Sequence, residues 1–158
     1  MKHLLITVLL LTLTASLSWG APPAALPTVA LTTTDGSTLT ADRIGTDAGV
    51  LLVLVRKGNP GGIRLLDFLA SLDPPLPAGR VQVVVTGADA RLLATIAGKY
   101  PGLPAQWYRD QSSALPRELR LAVTPAIMGV RADRLAWMQS GLPDTDLLEK
   151  TVRGWLNR

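Results

Sequence analysis

The stretch Arg56-Lys57-Gly58-Asn59-Pro60-Gly61-Gly62 holds the residue types best placed for chemistry: two cations after an aliphatic run, then a glycine-rich turn entering a helix pattern. Backbone N–H groups at a helix start, with the positive end of the helix dipole and two cations beside them, can hold a phosphate or carboxylate. The stretch matches neither G-x-x-x-x-G-K-[ST] nor G-x-G-x-x-G, so Arg56 and Lys57 make a weak anion-site candidate, the competing reading being two cations that face solvent. What is missing decides more. The chain has no cysteine, and its single histidine, His3, lies in a leader segment. Thiol exchange, cysteine peroxidase chemistry, histidine acid–base catalysis and Cys/His metal sites are closed to the mature chain. The serines have no histidine to activate them and no Ser-x-x-Lys pattern. Asp67, Asp89, Asp110 and Asp133 fall at helix starts, turns or polar helix faces, where capping and solvation account for them. With Glu118 and Glu149 they form no paired-carboxylate motif. No metal and no cofactor is called for.

The leader sets the compartment. Met1-Lys2-His3 is followed by Leu4–Leu13, apolar except at Thr7 and Thr12, and then by the small, polar run Ser16–Gly20. Ser18 and Gly20 fit the small-x-small pattern of a signal-peptidase site, which predicts a signal peptide over 1–20 cut between Gly20 and Ala21. The apolar run falls short of the ~20 residues of a membrane span, and retention as an N-terminal anchor is the competing reading. No cysteine follows it for lipid attachment. The mature chain is then expected in the periplasm or secreted, with no stable membrane span.

Cleavage leaves 138 residues, the size of one domain, with 15 Lys+Arg against 12 Asp+Glu and a net charge of +3. The basic residues are scattered and no basic patch interleaved with aromatics is visible, so a nucleic-acid partner is not expected. Without disulfides, an exported chain must rely on its hydrophobic core, and 47% apolar content supplies one.

The elements follow from punctuation and period. Ala21–Pro27 is a Pro/Ala-rich, flexible lead-in. Thr28–Thr34 reads as a strand that turns at Asp35-Gly36 and returns over Ser37–Thr40. Val50–Val55 is a continuous aliphatic run, as a strand covered on both faces requires. Leu65, Leu66, Leu69 and Leu72 predict a helix over 62–72, closed by Asp73-Pro74-Pro75-Leu76-Pro77. Val81–Val85 is a second buried strand, and Asp89–Tyr100 a helix with a stripe of Leu92, Leu93, Ile96 and Tyr100. Gln106–Tyr108 is a short strand, after which Ser112 or Ser113 caps a short helix with Pro116 in its first turn. Ala126–Val130 and Arg134–Met138 pair around Ala132-Asp133. Gly141 and Pro143 lead into a last helix with Leu148, Val152 and Trp155 on its buried stripe. Trp107, Trp137 and Trp155 are read as core or sheet-packing residues. The alternation predicts an α/β sandwich with a mixed sheet over 28–158.

Three segments in this order carry a resemblance. Leu26–Ile44 (LPTVALTTTDGSTLTADRI), Leu51–Leu66 (LLVLVRKGNPGGIRLL) and Leu121–Gly141 (LAVTPAIMGVRADRLAWMQSG) resemble the opening hairpin, the active-site strand–loop–helix and the cis-proline strand with its following hairpin in the thioredoxin-like superfamily, redoxin branch. That branch contains thiol–disulfide oxidoreductases and peroxiredoxins. The resemblance implies a three-layer sandwich, a mixed central sheet flanked by helices, and an N-terminal β-hairpin extension.

It also implies where function was lost. Where the branch carries Cys-x-x-Cys, this chain has Asn59-Pro60-Gly61-Gly62, and a one-residue shift brings in only Gly58 or Ile63. Gly58 to Gly62 is therefore a degenerate active-site loop, with Pro60 the one motif element retained. Thr124-Pro125 corresponds to the branch's cis-proline, whose preceding residue pairs with bound peptide through its backbone; Thr124 and Pro125 are the candidate groove. The resemblance implies a redox-inactive thioredoxin-fold protein that binds or scaffolds another exported or envelope protein. The alternative is a redoxin-fold enzyme with non-cysteine chemistry or a thiol supplied by a partner.

Overall fold

Val50–Val55 has no polar side chain to offer solvent, and in the computed structural model, which describes residues 24–158, it lies inside a seven-stranded sheet. The strands are β1 (Ala30–Thr33), β2 (Thr38–Thr40), β3 (Val50–Arg56), β4 (Val81–Thr86), β5 (Ala105–Asp110), β6 (Ala126–Arg131) and β7 (Arg134–Ser140). Their order is β2-β1-β5-β4-β3-β6-β7. β3, β4 and β5 are parallel, with Leu51 opposite Val81 and Val83 opposite Trp107, and the outer strands are antiparallel. The helices are α1 (Pro60–Ala70), α2 (Ala90–Lys99), α3 (Ala114–Glu118) and α4 (Thr145–Leu156).

The pleat divides the aliphatic run between two cores. Leu51, Val53 and Val55 share one core with Leu65, Leu66 and Leu69 of α1, Leu93 of α2 and Leu148, Val152 and Trp155 of α4. Val50, Leu52 and Leu54 face the other way, onto Leu115 of α3, Ala41, Ile44 and the N-terminal segment. This is the expected mixed-sheet α/β sandwich. Trp155 fixes α4 by donating from Nε1 to the Val50 carbonyl at 2.9 Å, under Arg131 and edge-on to Trp137. Trp107 and Trp155 are buried, and Trp137 half-buried. Among the described residues no helix is long and apolar enough to cross a membrane.

Several boundaries differ from the sequence reading, each for a local reason. α1 starts at Pro60 rather than 62, because Asn59 caps it and Pro60 supplies the preset first turn. β5 runs from Ala105 to Asp110, longer than Gln106–Tyr108, since it pairs along its length with β4. The short helix is not capped by serine. Ser113 is left-handed (φ 54) and makes no side-chain cap, whereas buried Asp110 accepts from the N–H groups of Ala114 (3.0 Å) and Leu115 (2.8 Å). Asp110 is thus a buried cap rather than a solvated carboxylate. From Ala24 onward the lead-in is tied down. The Ala24 carbonyl accepts from Leu135 N–H, Leu26 N–H donates to the Asp133 carbonyl, and Leu26 is buried. The signal-peptide expectation for 1–20 lies outside the described residues.

Candidate functional site

Gly58 to Gly62 sits where β3 leaves the sheet and α1 begins. Gly58 takes φ +73, a left-handed turn that costs a side-chain-bearing residue roughly 1–2 kcal/mol. Asn59 then does two jobs. Its Oδ1 accepts from Gly61 N–H at 2.8 Å, capping the helix, and its Nδ2 donates to the Thr124 carbonyl at 2.8 Å, across 65 residues of chain. Its backbone carbonyl accepts from Gly62 (3.0 Å) and Ile63 (3.4 Å). Since Pro60 has no N–H, the donors at the start of α1 are already occupied.

The Thr124–Pro125 peptide is cis, and so is Asp73–Pro74. Gly61 lies against Pro125: a Cβ at position 61 would stand 3.1 Å from Pro125 Cδ and 3.1 Å from Asn59 Oδ1. The structure thus brings Asn59, Pro60, Gly61, Thr124 and Pro125 to one edge. Thr124 is half-buried, and among the described residues its N–H has no hydrogen-bond partner. Its carbonyl keeps a second lone pair beyond the one Asn59 uses.

Arg56 and Lys57 are exposed and turn their side chains to hollows on either side of the loop. Arg56 lines a hollow of about 270 Å³ with Thr124, Thr86, Ser113 and Arg117. Lys57 and Arg56 also line a larger cavity, about 530 Å³, between α1 and α2. An anion there would meet side chains, because Asn59 holds the helix N–H groups. Among the described residues no group of three His, Cys, Asp or Glu side chains could hold a metal ion.

Sequence reasoning missed the Asn59 tie to Thr124, which depends on a contact between distant segments, and Arg117, which only the chain path of α3 brings near Arg56. The stripe of Leu92, Leu93, Ile96 and Tyr100 on α2 does pack on the core, with Leu93 fully buried and the other three half-buried along the cavity. Tyr100 donates its hydroxyl to Asp67 Oδ1 at 3.0 Å, and burial, together with that carboxylate, pushes its phenol up to about 12.

No protein-family model and no curated protein sequence matches the chain. Solved structures do. A secreted disulfide oxidoreductase of Mycobacterium tuberculosis, homologous to E. coli DsbE, superposes with a TM-score of 0.60 at 17% identity, covering 80% of this chain and 96% of that one. The exposed lipoprotein thioredoxin of Streptococcus pneumoniae gives 0.57 at 20% identity over 79% and 97%. The peroxiredoxin-like protein of Aquifex aeolicus gives 0.57 at 12% over 84% and 86%. The chain has the thioredoxin-like fold. Its structural neighbours are thioredoxin-like redoxins, and it carries that fold without a single cysteine.

Proposed function

We propose that this thioredoxin-fold protein is exported, redox-inactive, and binds or scaffolds another envelope protein at the edge formed by Asn59, Pro60, Thr124 and Pro125. The observation that carries the reading is Asn59. At the helix start it replaces a nucleophile with a cap and a tie, so the loop stays seated against Pro125 while no residue in it can form a thiolate. The unpartnered Thr124 N–H gives an extended peptide a backbone donor, and Gly61 keeps the approach free of side chain. Export, to the periplasm or beyond the cell with residues 1–20 removed, is supported by the leader pattern. It agrees with neighbours described as secreted and as an exposed lipoprotein.

Two measurements test it. Insulin-reduction and peroxidase assays on the purified protein should give no turnover above buffer; turnover would establish the enzymatic alternative. Crosslinking in the native envelope fraction should capture a partner that Thr124→Arg releases. If every captured protein survives that substitution, the edge is not the interface.

A further inference from the structure

The flank of α1 is finished differently from its head. The cavity of about 530 Å³ between α1 and α2 is within the usual range of small-molecule sites. Its floor is Val55 and Val85, near the carboxyl ends of β3 and β4. Its walls are Ile63 and Leu66 from α1 and Leu92 and Ile96 from α2. Ile63 is 55% exposed, and Leu92 and Ile96 are half-buried, so apolar surface that burial would stabilise by roughly 25 cal/mol per Å² is left uncovered.

Charge distinguishes the two ends. At the loop end stand Arg56 and Lys57, both exposed and neither in an ion pair; among the described residues the single ion pair is Arg153–Glu149 on α4. Asp89, which caps α2 at that end, does not line the cavity, and its Oδ1 accepts from Leu92 N–H at 2.8 Å. At the far end Lys99 is accompanied by Asp67, itself engaged by Tyr100. The excess positive charge is therefore at the loop.

We propose that this crevice binds an amphipathic carboxylate, a small molecule with an aliphatic chain laid between Ile63 and Ile96 and its carboxylate at Arg56 and Lys57. The match is one of charge and surface: two uncompensated cations at one mouth and an apolar channel behind them. The site shares Asn59 with the peptide edge, and Arg56 also lines the hollow at Thr124, but the apolar channel between α1 and α2 does not rest on that reading.

Decanoate, decanol and decyltrimethylammonium, each below its micelle-forming concentration, would be titrated calorimetrically into the purified protein. Decanoate should bind saturably, decanol about ten-fold more weakly, and the cation more weakly still, since a charge-assisted contact is worth about a factor of ten. Lys57→Ala should weaken decanoate by about ten-fold and leave decanol unchanged. Ile96→Trp should fill the channel and abolish binding of both. Should that variant not fold, Ile63→Asp, at an exposed position, places a carboxylate on the wall and should weaken decanoate by ten-fold or more. Absence of saturable decanoate binding, equal binding of anion and cation, or wild-type affinity in Ile63→Asp would overturn the proposal.

Discussion

The head of α1 and its flank are made from neighbouring residues and satisfied in opposite ways. At the head, the N–H groups of Asn59, Gly61, Gly62 and Ile63 all have partners inside the chain, three of them supplied by Asn59 itself. Along the flank, Ile63 is exposed, Leu92 and Ile96 are covered only on their core side, and Arg56 and Lys57 lack counter-charge. Capping accounts only for the first: a helix start leaves backbone donors that must be satisfied, and an asparagine does that at little cost. Nothing in that capping requires an open crevice along the flank. The head is closed by its own hydrogen bonds, while the flank keeps exposed apolar surface and unpaired charge that the fold itself does not need.

The largest expected effect separates the packed side of α1 from the open side of α2. Leu69 is 2% exposed and touches the sheet core, so Leu69→Ala should cost about 2–5 kcal/mol in urea unfolding. Ile96 is half-buried, packed on the core on one side and open to the crevice on the other, so Ile96→Ala should cost less, about 1–2 kcal/mol. Equal losses at the two positions would mean that the crevice is filled by the protein itself.

Next in size is the tie at the head. Asn59→Ala removes the cap, worth ~1 kcal/mol, and the bond to Thr124, worth about 0.5–1.5 kcal/mol. Unfolding should register a loss of roughly 1–3 kcal/mol. Asn59→Asp separates the two, because its carboxylate still accepts from Gly61 N–H but has no proton to give Thr124. A loss of about 1 kcal/mol is expected; an unchanged midpoint would show that the long-range bond contributes nothing.

Much of this molecule is legible in its sequence because so much of it is aliphatic. A strand such as Val50–Val55 can only be covered on both faces, and leucines at helical spacing can only be turned to a sheet, so element order and layer architecture follow from pattern. The loop was legible as a gap, a place where reactive residues are missing. The way the loop is held was not, since the Asn59 partner lies 65 residues away and no local pattern announces it. The stripe of α2 was legible as a face but not in its depth of burial. Periodicity says which residues share a face, but the distance from that face to the next helix is set by how α1 packs, and here it leaves room. The cap of α3 shows the same limit: position in sequence favours Ser112 or Ser113, whereas Asp110 reaches past both to two N–H groups.

A smaller contrast comes from two helical glycines. Gly98 on α2 has open space where a Cβ would go, so Gly98→Ala should stabilise by about 0.5–1 kcal/mol through helix propensity alone. Gly61→Ala has the same propensity to gain, but its Cβ would stand 3.1 Å from both Pro125 Cδ and the pinned Asn59 Oδ1. That gain should be cancelled or reversed. Thermal unfolding of both variants checks it, and equal stabilisation would show the head to be looser than its hydrogen bonds indicate.

The smallest effect is a titration at the far end of the crevice. Burial raises the Tyr100 phenol first, and the hydrogen bond and charge of Asp67 add to it, taking it from the ordinary value near 10 to about 12. A raised value means the folded protein holds the proton more tightly than the unfolded chain does. Tyr100 thus contributes stability that is intact below about pH 10 and is lost as the pH rises toward 12. Asp67→Asn removes the neighbouring charge but not the burial, so the phenol should fall part of the way and remain above its ordinary value. Spectrophotometric titration of the tyrosines, with Tyr100→Phe to subtract Tyr108, reads this directly; Tyr108 is itself raised by burial beside β4. An aliphatic occupant in the crevice would strip more water from Tyr100 and push its titration higher still, so the same curve recorded with and without decanoate reports whether the chain reaches this end. A curve unmoved by Asp67→Asn would place Asp67 away from the phenol and leave burial as the sole cause of the raised titration.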